Sequence, residues 1–128
     1  MNNQTRSILA ILSTDIPDYT KKTEEDETYA FSLIAKHRDI INKYVHSSNG
    51  SLFKEMGDGT FSKFDSAIDA SRCAIKIQNE AINRKLPLRI GLHLGDVFLD
   101  GNDVLGAGVN IANRIQNQAK TGEIYISD

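Results

Sequence analysis

The stretch Ser51–Phe64, S-L-F-K-E-M-G-D-G-T-F-S-K-F, constrains the chain more than any other. Two short runs with β character flank Gly57-Asp58-Gly59. A tight primed turn needs positive φ, which glycine supplies without steric cost, so Asp-Gly between such runs predicts a hairpin. Taken alone, Asp58 is a turn former, a role aspartate commonly fills. Whether it does more depends on what else the chain carries to the same place.

On either side of the hairpin the elements follow in a regular order. R-S-I-L-A-I-L-S-T is an apolar run whose length predicts a buried strand. It stops at Asp15-Ile16-Pro17-Asp18, where the proline turns its predecessor away from helix. Thr23-Glu24-Glu25-Asp26 resembles a capping box, and a long helix is expected from there to about Ser47, with Phe31, Ile34, Ile41, Tyr44 and Val45 as its buried stripe. After the hairpin, Ser66 with Asp69 caps a second helix running to about Arg84 and burying Ala70, Cys73, Ala74, Ile77 and Ala81. Leu86–Leu94 and Asp96–Leu99 read as two strands, Gly101-Asn102 as a turn, Ala107–Ala119 as a third helix and Glu123–Ser127 as a last strand. Residues 1–5 are polar and expected to be loose. The fold class is therefore α+β: a ferredoxin-like βαββαβ core with an additional β-α-β at the C-terminal side.

That topology makes strands one and two parallel, joined through the first helix, so their C-terminal ends share one edge. Asp15 and Asp58 should converge there. Two carboxylates with little basic charge beside them repel unless something cationic sits between. Hard oxygen donors suit Mg²⁺, and two such ions serve in-line displacement at phosphorus; the bland alternative is two solvated turn acids. Asn110 and Arg114 are spaced i, i+4 on one helical face, where an amide and a guanidinium hold a ribose oxygen and a phosphorane, or simply form a polar surface pair. Gly106 and Gly108 match a phosphate loop only weakly. His37 and His46 are expected at a helix surface or boundary and His93 on one face of a strand, which makes no metal set.

Composition narrows the classes. A formal net charge of −2 and 25% charged residues suit neither a nucleic-acid-binding nor a membrane-surface protein. The single cysteine, Cys73, permits no internal disulfide. The short apolar stretch Ile8–Leu12 is neither a signal peptide nor a membrane span, so a cytoplasmic setting is expected, whether or not a parent protein is tethered to a membrane.

Together, S-T-D-I-P-D-Y-T, F-K-E-M-G-D-G-T-F-S-K-F, D-A-S-R-C-A-I-K-I-Q, R-I-G-L-H-L-G-D-V and D-V-L-G-A-G-V-N-I-A-N-R-I resemble the catalytic domain of the class III nucleotidyl cyclases. Each piece alone is weak, whereas five in register are specific. The resemblance covers Arg6 to Asp128 and implies a single domain over residues 1–128, of the short-armed bacterial type, lacking its C-terminal part and a basic triphosphate contact found there in the family. It implies that Asp15 and Asp58 hold two Mg²⁺ or Mn²⁺ ions, with a backbone carbonyl from Ile16. Lys54 and Asp103 match the purine-reading pair, whose donor and acceptor suit adenine. Asn110 and Arg114 match the ribose-orienting and transition-state-stabilising pair. The implied reaction is ATP to 3′,5′-cyclic AMP and pyrophosphate, the ribose 3′-hydroxyl attacking the α-phosphorus. The implied assembly is a homodimer with shared sites, Asp15 and Asp58 from one protomer and the other four residues from its partner. The alternatives are a catalytically silent cyclase-like dimerisation or nucleotide-sensing module, and a guanylate cyclase. A diguanylate cyclase ranks low, because the Gly-Gly-acidic-acidic-Phe turn of that family is absent.

Overall fold

The computed structural model describes residues 5–127; the loose start expected for the first residues falls mostly on 1–4, outside them, while Thr5 already lies in a strand. The chain runs β1 (Thr5–Asp15), α1 (Tyr19–Glu25), α2 (Glu27–Tyr44), a 3₁₀ turn (His46–Ser48), β2 (Gly50–Met56), β3 (Gly59–Phe64), α3 (Ala67–Asn83), β4 (Arg89–Asp100), β5 (Asp103–Leu105), α4 (Ala107–Gln118) and β6 (Ile124–Ile126). The sheet order is β2-β3-β1-β4-β5, with β6 also pairing β4. This is the expected ferredoxin-like core with its C-terminal addition. β1 and β2 run the same way, but they are not neighbours: β3 lies between them, antiparallel to both.

β1 is apolar without alternation because both of its faces are covered. Ala10 and Leu12 enter the larger core, which α2 and α3 fill with Leu33, Ile40, Ile41, Cys73 and Ile77. Leu9 and Ile11 enter a second core on the opposite face, with Phe61, Val97, Val104 and Ala112. α3 follows its expected stripe, and the Asp69 amide donates to the Ser66 hydroxyl at 3.1 Å.

Three local expectations are corrected. The first helix is broken in two: Asp26, not Thr23, caps the long helix by accepting from the Tyr29 amide, and Thr23 donates instead to the Tyr19 carbonyl. The stripe of α2 is Ala30, Leu33, His37, Ile40 and Ile41, leaving Phe31 57% exposed and burying the histidine expected at a surface. The two strands expected around Gly95 are one continuous strand, β4, because pairing with β1 along its whole length outweighs the local cost of a glycine.

α4 lies on the second face, close against β4. A Cβ on Gly91 would stand 2.4 Å from the Gln116 amide nitrogen and 2.7 Å from the Ala112 carbonyl, both rigid helix backbone. Gly91→Ala is therefore expected to cost about 3 kcal/mol, at the upper end for overpacking, since no flexible side chain can yield. Urea denaturation of the variant beside the parent checks this.

Candidate active site

The last rung of β1 joins three segments. Asp15 stands opposite Gly59 of β3 on one side and Arg89 of β4 on the other. The Ile16 amide donates to the Asp58 carbonyl at 3.3 Å, and the Ile16 side chain is buried, so the loop after β1 is pinned to the hairpin turn. Lys22 closes that loop by donating to the Pro17 carbonyl at 2.6 Å. The expected convergence of Asp15, Ile16 and Asp58 is thus present. It arises because β3, the return strand of the hairpin, begins where β1 ends.

Arg89 is the site residue that sequence reasoning missed. Its Nε donates to Asp15 Oδ1 at 2.9 Å and its Nη2 to Oδ2 at 2.6 Å, a two-bond fork on a mostly buried pair. Its Nη1 donates to the Asn117 carbonyl at the end of α4, 3.3 Å away. Bonding to Asp15 raises the guanidinium further above its usual range. The acids therefore do have a basic counter-charge, contrary to expectation. The available signal was the antiparallel register of β1 with β4, which sequence alone left open by starting that strand at Leu86.

Asp58 is half-buried, and its carboxyl is pushed above the usual range, first by burial and then by the charge of Asp15; its own backbone N–H and Arg89 oppose this. One carboxylate is thus neutralised by a resident cation, and the other resists ionising. Among the described residues no three His, Cys, Asp or Glu side chains gather as a metal cluster. The donors fit a hard divalent cation that takes two carboxylates and fills its shell with carbonyl, water and phosphate oxygens, in competition with Arg89 for Asp15.

Behind the rim lies a buried polar chain. His37 Nε2 meets Thr14 Oγ1 at 2.8 Å, and Thr14 Oγ1 meets Thr60 Oγ1. Burial pushes the His37 imidazole down to about 4, against the opposing pull of Asp15.

The remaining sequence-predicted residues lie elsewhere. Lys54 is exposed on β2 opposite Phe61, just past a bulge. Asp103 is exposed at the start of β5 opposite Asp100, its Oδ1 accepting from the Val104 amide at 2.9 Å. Curling of the sheet brings the edge strands β2 and β5 within 8 Å of each other, so Lys54 and Asp103 belong to facing edges. Asn110 and Arg114 are exposed one turn apart on α4, away from its buried Ala112 and Gln116. Asp103 is not with the carboxylates: it pairs at the far end of β4, on the order of 35 Å along an extended strand from Arg89.

The fold is that of a nucleotide cyclase domain. The family described as "Adenylate and Guanylate cyclase catalytic domain" matches residues 1–128, and the chain belongs to it. A protein of Rhizobium meliloti (strain 1021) named "Putative adenylate cyclase 3" is 37% identical over 132 residues, covering 96% of this chain and 22% of its own length. The chain thus spans about a fifth of that relative. An "Adenylate/Guanylate Cyclase/Hydrolase" from Silicibacter pomeroyi is similar in structure with TM-score 0.89 and 32% identity, covering 98% of this chain and 78% of the other. The fold is shared with the adenylyl cyclase CyaB from P. aeruginosa (TM-score 0.83, 19% identity, 98% and 79% covered). It is shared also with the monomeric guanylyl cyclase domain of the RhoGC fusion protein from Blastocladiella emersonii (TM-score 0.82, 18% identity, 98% and 84% covered). Among the described residues no helix is long and apolar enough to cross a membrane.

Two solution measurements probe this electrostatic arrangement. The folded state binds a proton at Asp58 more tightly than the unfolded chain does, so its ionised form costs stability at neutral pH. Without divalent cation, Asp58→Asn should melt higher than the parent at pH 7 and lose that gain near pH 3, whereas Arg89→Gln should melt lower. His37 acts with the opposite pH dependence. Its neutral form favours the folded state fully above about pH 6.5, and that contribution of about 3 kcal/mol is lost as the pH falls toward 4. His37→Gln should flatten this acid limb in melting curves recorded between pH 7 and 4.

Proposed function

We propose that the chain is the catalytic domain of an adenylate cyclase, converting ATP to 3′,5′-cyclic AMP and pyrophosphate at a site shared by two copies. The observation that carries this reading is the rim formed by Asp15, Ile16 and Asp58 in a chain of the cyclase family. Asp15 and Asp58 would hold two Mg²⁺ or Mn²⁺ ions with the Ile16 carbonyl, and these ions supply charge neutralisation at the triphosphate and acidify the attacking hydroxyl.

The chain's own residues do the rest. Lys54 donates to the purine N1 and Asp103 accepts from its exocyclic amine, a pattern that selects adenine over guanine. Asn110 orients the ribose so that its 3′-oxygen faces the α-phosphorus. Arg114 donates to the phosphorane oxygens as negative charge builds there. The separation of Asp103 from Asp15 within one chain supports a shared site, because a single nucleotide is far shorter than β4. In a two-fold dimer the carboxylate rim of one copy faces Lys54, Asp103, Asn110 and Arg114 of the other. A free, buried Cys73 and a substrate made inside cells suit a cytoplasmic setting.

Assay of the full chain with Mn²⁺, offering ATP and GTP separately, tests the reading. Cyclic AMP from ATP is the expected product. Asp58→Ala should remove it, Arg114→Ala should lower turnover by about 10²–10³-fold, and Lys54→Glu should reduce the preference for ATP. A folded chain that binds ATP tightly without turnover would make this a nucleotide-sensing module instead, and cyclic GMP as the main product would reassign the purine pair.

A further inference from the structure

We propose that His37 is a positioning residue for the carboxylate rim, setting the separation of Asp15 and Asp58 through the buried hydroxyls of Thr14 and Thr60. The proposal rests on the reading of Asp15 and Asp58 as cation ligands.

Three observations combine. His37 is 1% exposed among Leu33, Ile40 and Ile41, a helix face where an aliphatic side chain would pack without any polar cost. Its Nε2 lies 2.8 Å from Thr14 Oγ1, which in turn meets Thr60 Oγ1. Thr14 and Thr60 are direct cross-strand partners, respectively 1% and 3% exposed. Thr14 immediately precedes Asp15, and Thr60 follows Asp58 by two residues. The chain therefore runs from the helix layer to the two strand ends that carry the acids.

Its place in the ladder gives it a task. The Thr14–Thr60 pair is the last but one before the β1–β3 pairing ends at Asp15 opposite Gly59. Strand ends open most readily, and like charges on the two ends favour opening. A hydroxyl–hydroxyl bond across the strands, backed by an imidazole from a packed helix, has one arrangement in a dry interior and resists that separation. The two carboxylates then stand ready at a fixed distance before any cation arrives.

Electron paramagnetic resonance titration of the full chain with Mn²⁺ alone tests this, with near-ultraviolet circular dichroism and melting to confirm folding. Thr60→Val removes one hydroxyl and keeps the shape, His37→Leu removes the imidazole, and His37→Gln returns a polar nitrogen near the position of Nε2. Thr60→Val and His37→Leu should bind Mn²⁺ about 5-fold more weakly, the equivalent of one ordinary hydrogen bond, and His37→Gln should stay within about 2-fold of the parent. Folded Thr60→Val and His37→Leu proteins with parental Mn²⁺ affinity would overturn the proposal while leaving the cation reading intact. If His37→Leu does not fold, Thr60→Val decides alone. A parent chain that binds no Mn²⁺ would overturn the cation reading, and this proposal with it.

Discussion

The pairing of β1 on both of its edges is the constraint on which the rest depends. Eleven residues of β1 pair with β4, and its C-terminal six also pair with β3, so the strand is held from Ala10 to Asp15 on both sides. Side chains alternate between faces with a period of two, so a slip of one residue would send Leu9 and Ile11 into the wrong core and turn Asp15 away from Arg89. The hydrophobic requirement of two cores thus sets the register, and the register sets the chemistry. Asp15 meets Arg89 because Leu12 must lie beneath α2 and α3.

At the rim the energetics run against stability. Two acids brought together beside buried strand ends repel, and burial adds to the cost of charging Asp58. Arg89 offsets part of this at Asp15, with good geometry and a third bond to the end of α4. A buried pair of this kind is weak evidence of a stabilising role, since desolvation of both charges cancels much of the attraction. A perturbed acid such as Asp58, held beside a polar network, is more characteristic of sites that bind or react. Arg89 occupies the place in the charge balance that a cation would take, and it ties that place to the helix bearing Asn110 and Arg114.

Much of this was legible in the chain itself. The hairpin, the apolar first strand and the second helix with its Ser66 cap follow from local chemistry, and each is present, although Gly57-Asp58 rather than Asp58-Gly59 makes the hairpin turn, with the positive φ at Gly57. Topology then brought Asp15 and Asp58 together without a side-chain contact being known. What failed was decided by tertiary contacts. Phe31 has the hydrophobicity of a core residue, but α2 turns Ala30, Leu33, Ile40 and Ile41 inward, which carries His37 in with them to meet Thr14 and leaves Phe31 outside. Gly95 looked like a break, yet β1 supplies a continuous partner along β4. Arg89 escaped notice because its role depends on a partner 74 residues away in sequence.

The shape of the sheet bears on how the proposed site would be assembled. Curling brings the edge strands β2 and β5 near each other, β2 bearing Lys54 and β5 bearing Asp103. The same geometry leaves Asp15 at the opposite end of the β1–β4 ladder from Asp103. Of the residues assigned to the proposed site, Asp103 is thus the one the ladder holds far from Asp15. In the proposed dimer a two-fold axis would set the Asp103 end of one copy against the acids of the other and form two sites together.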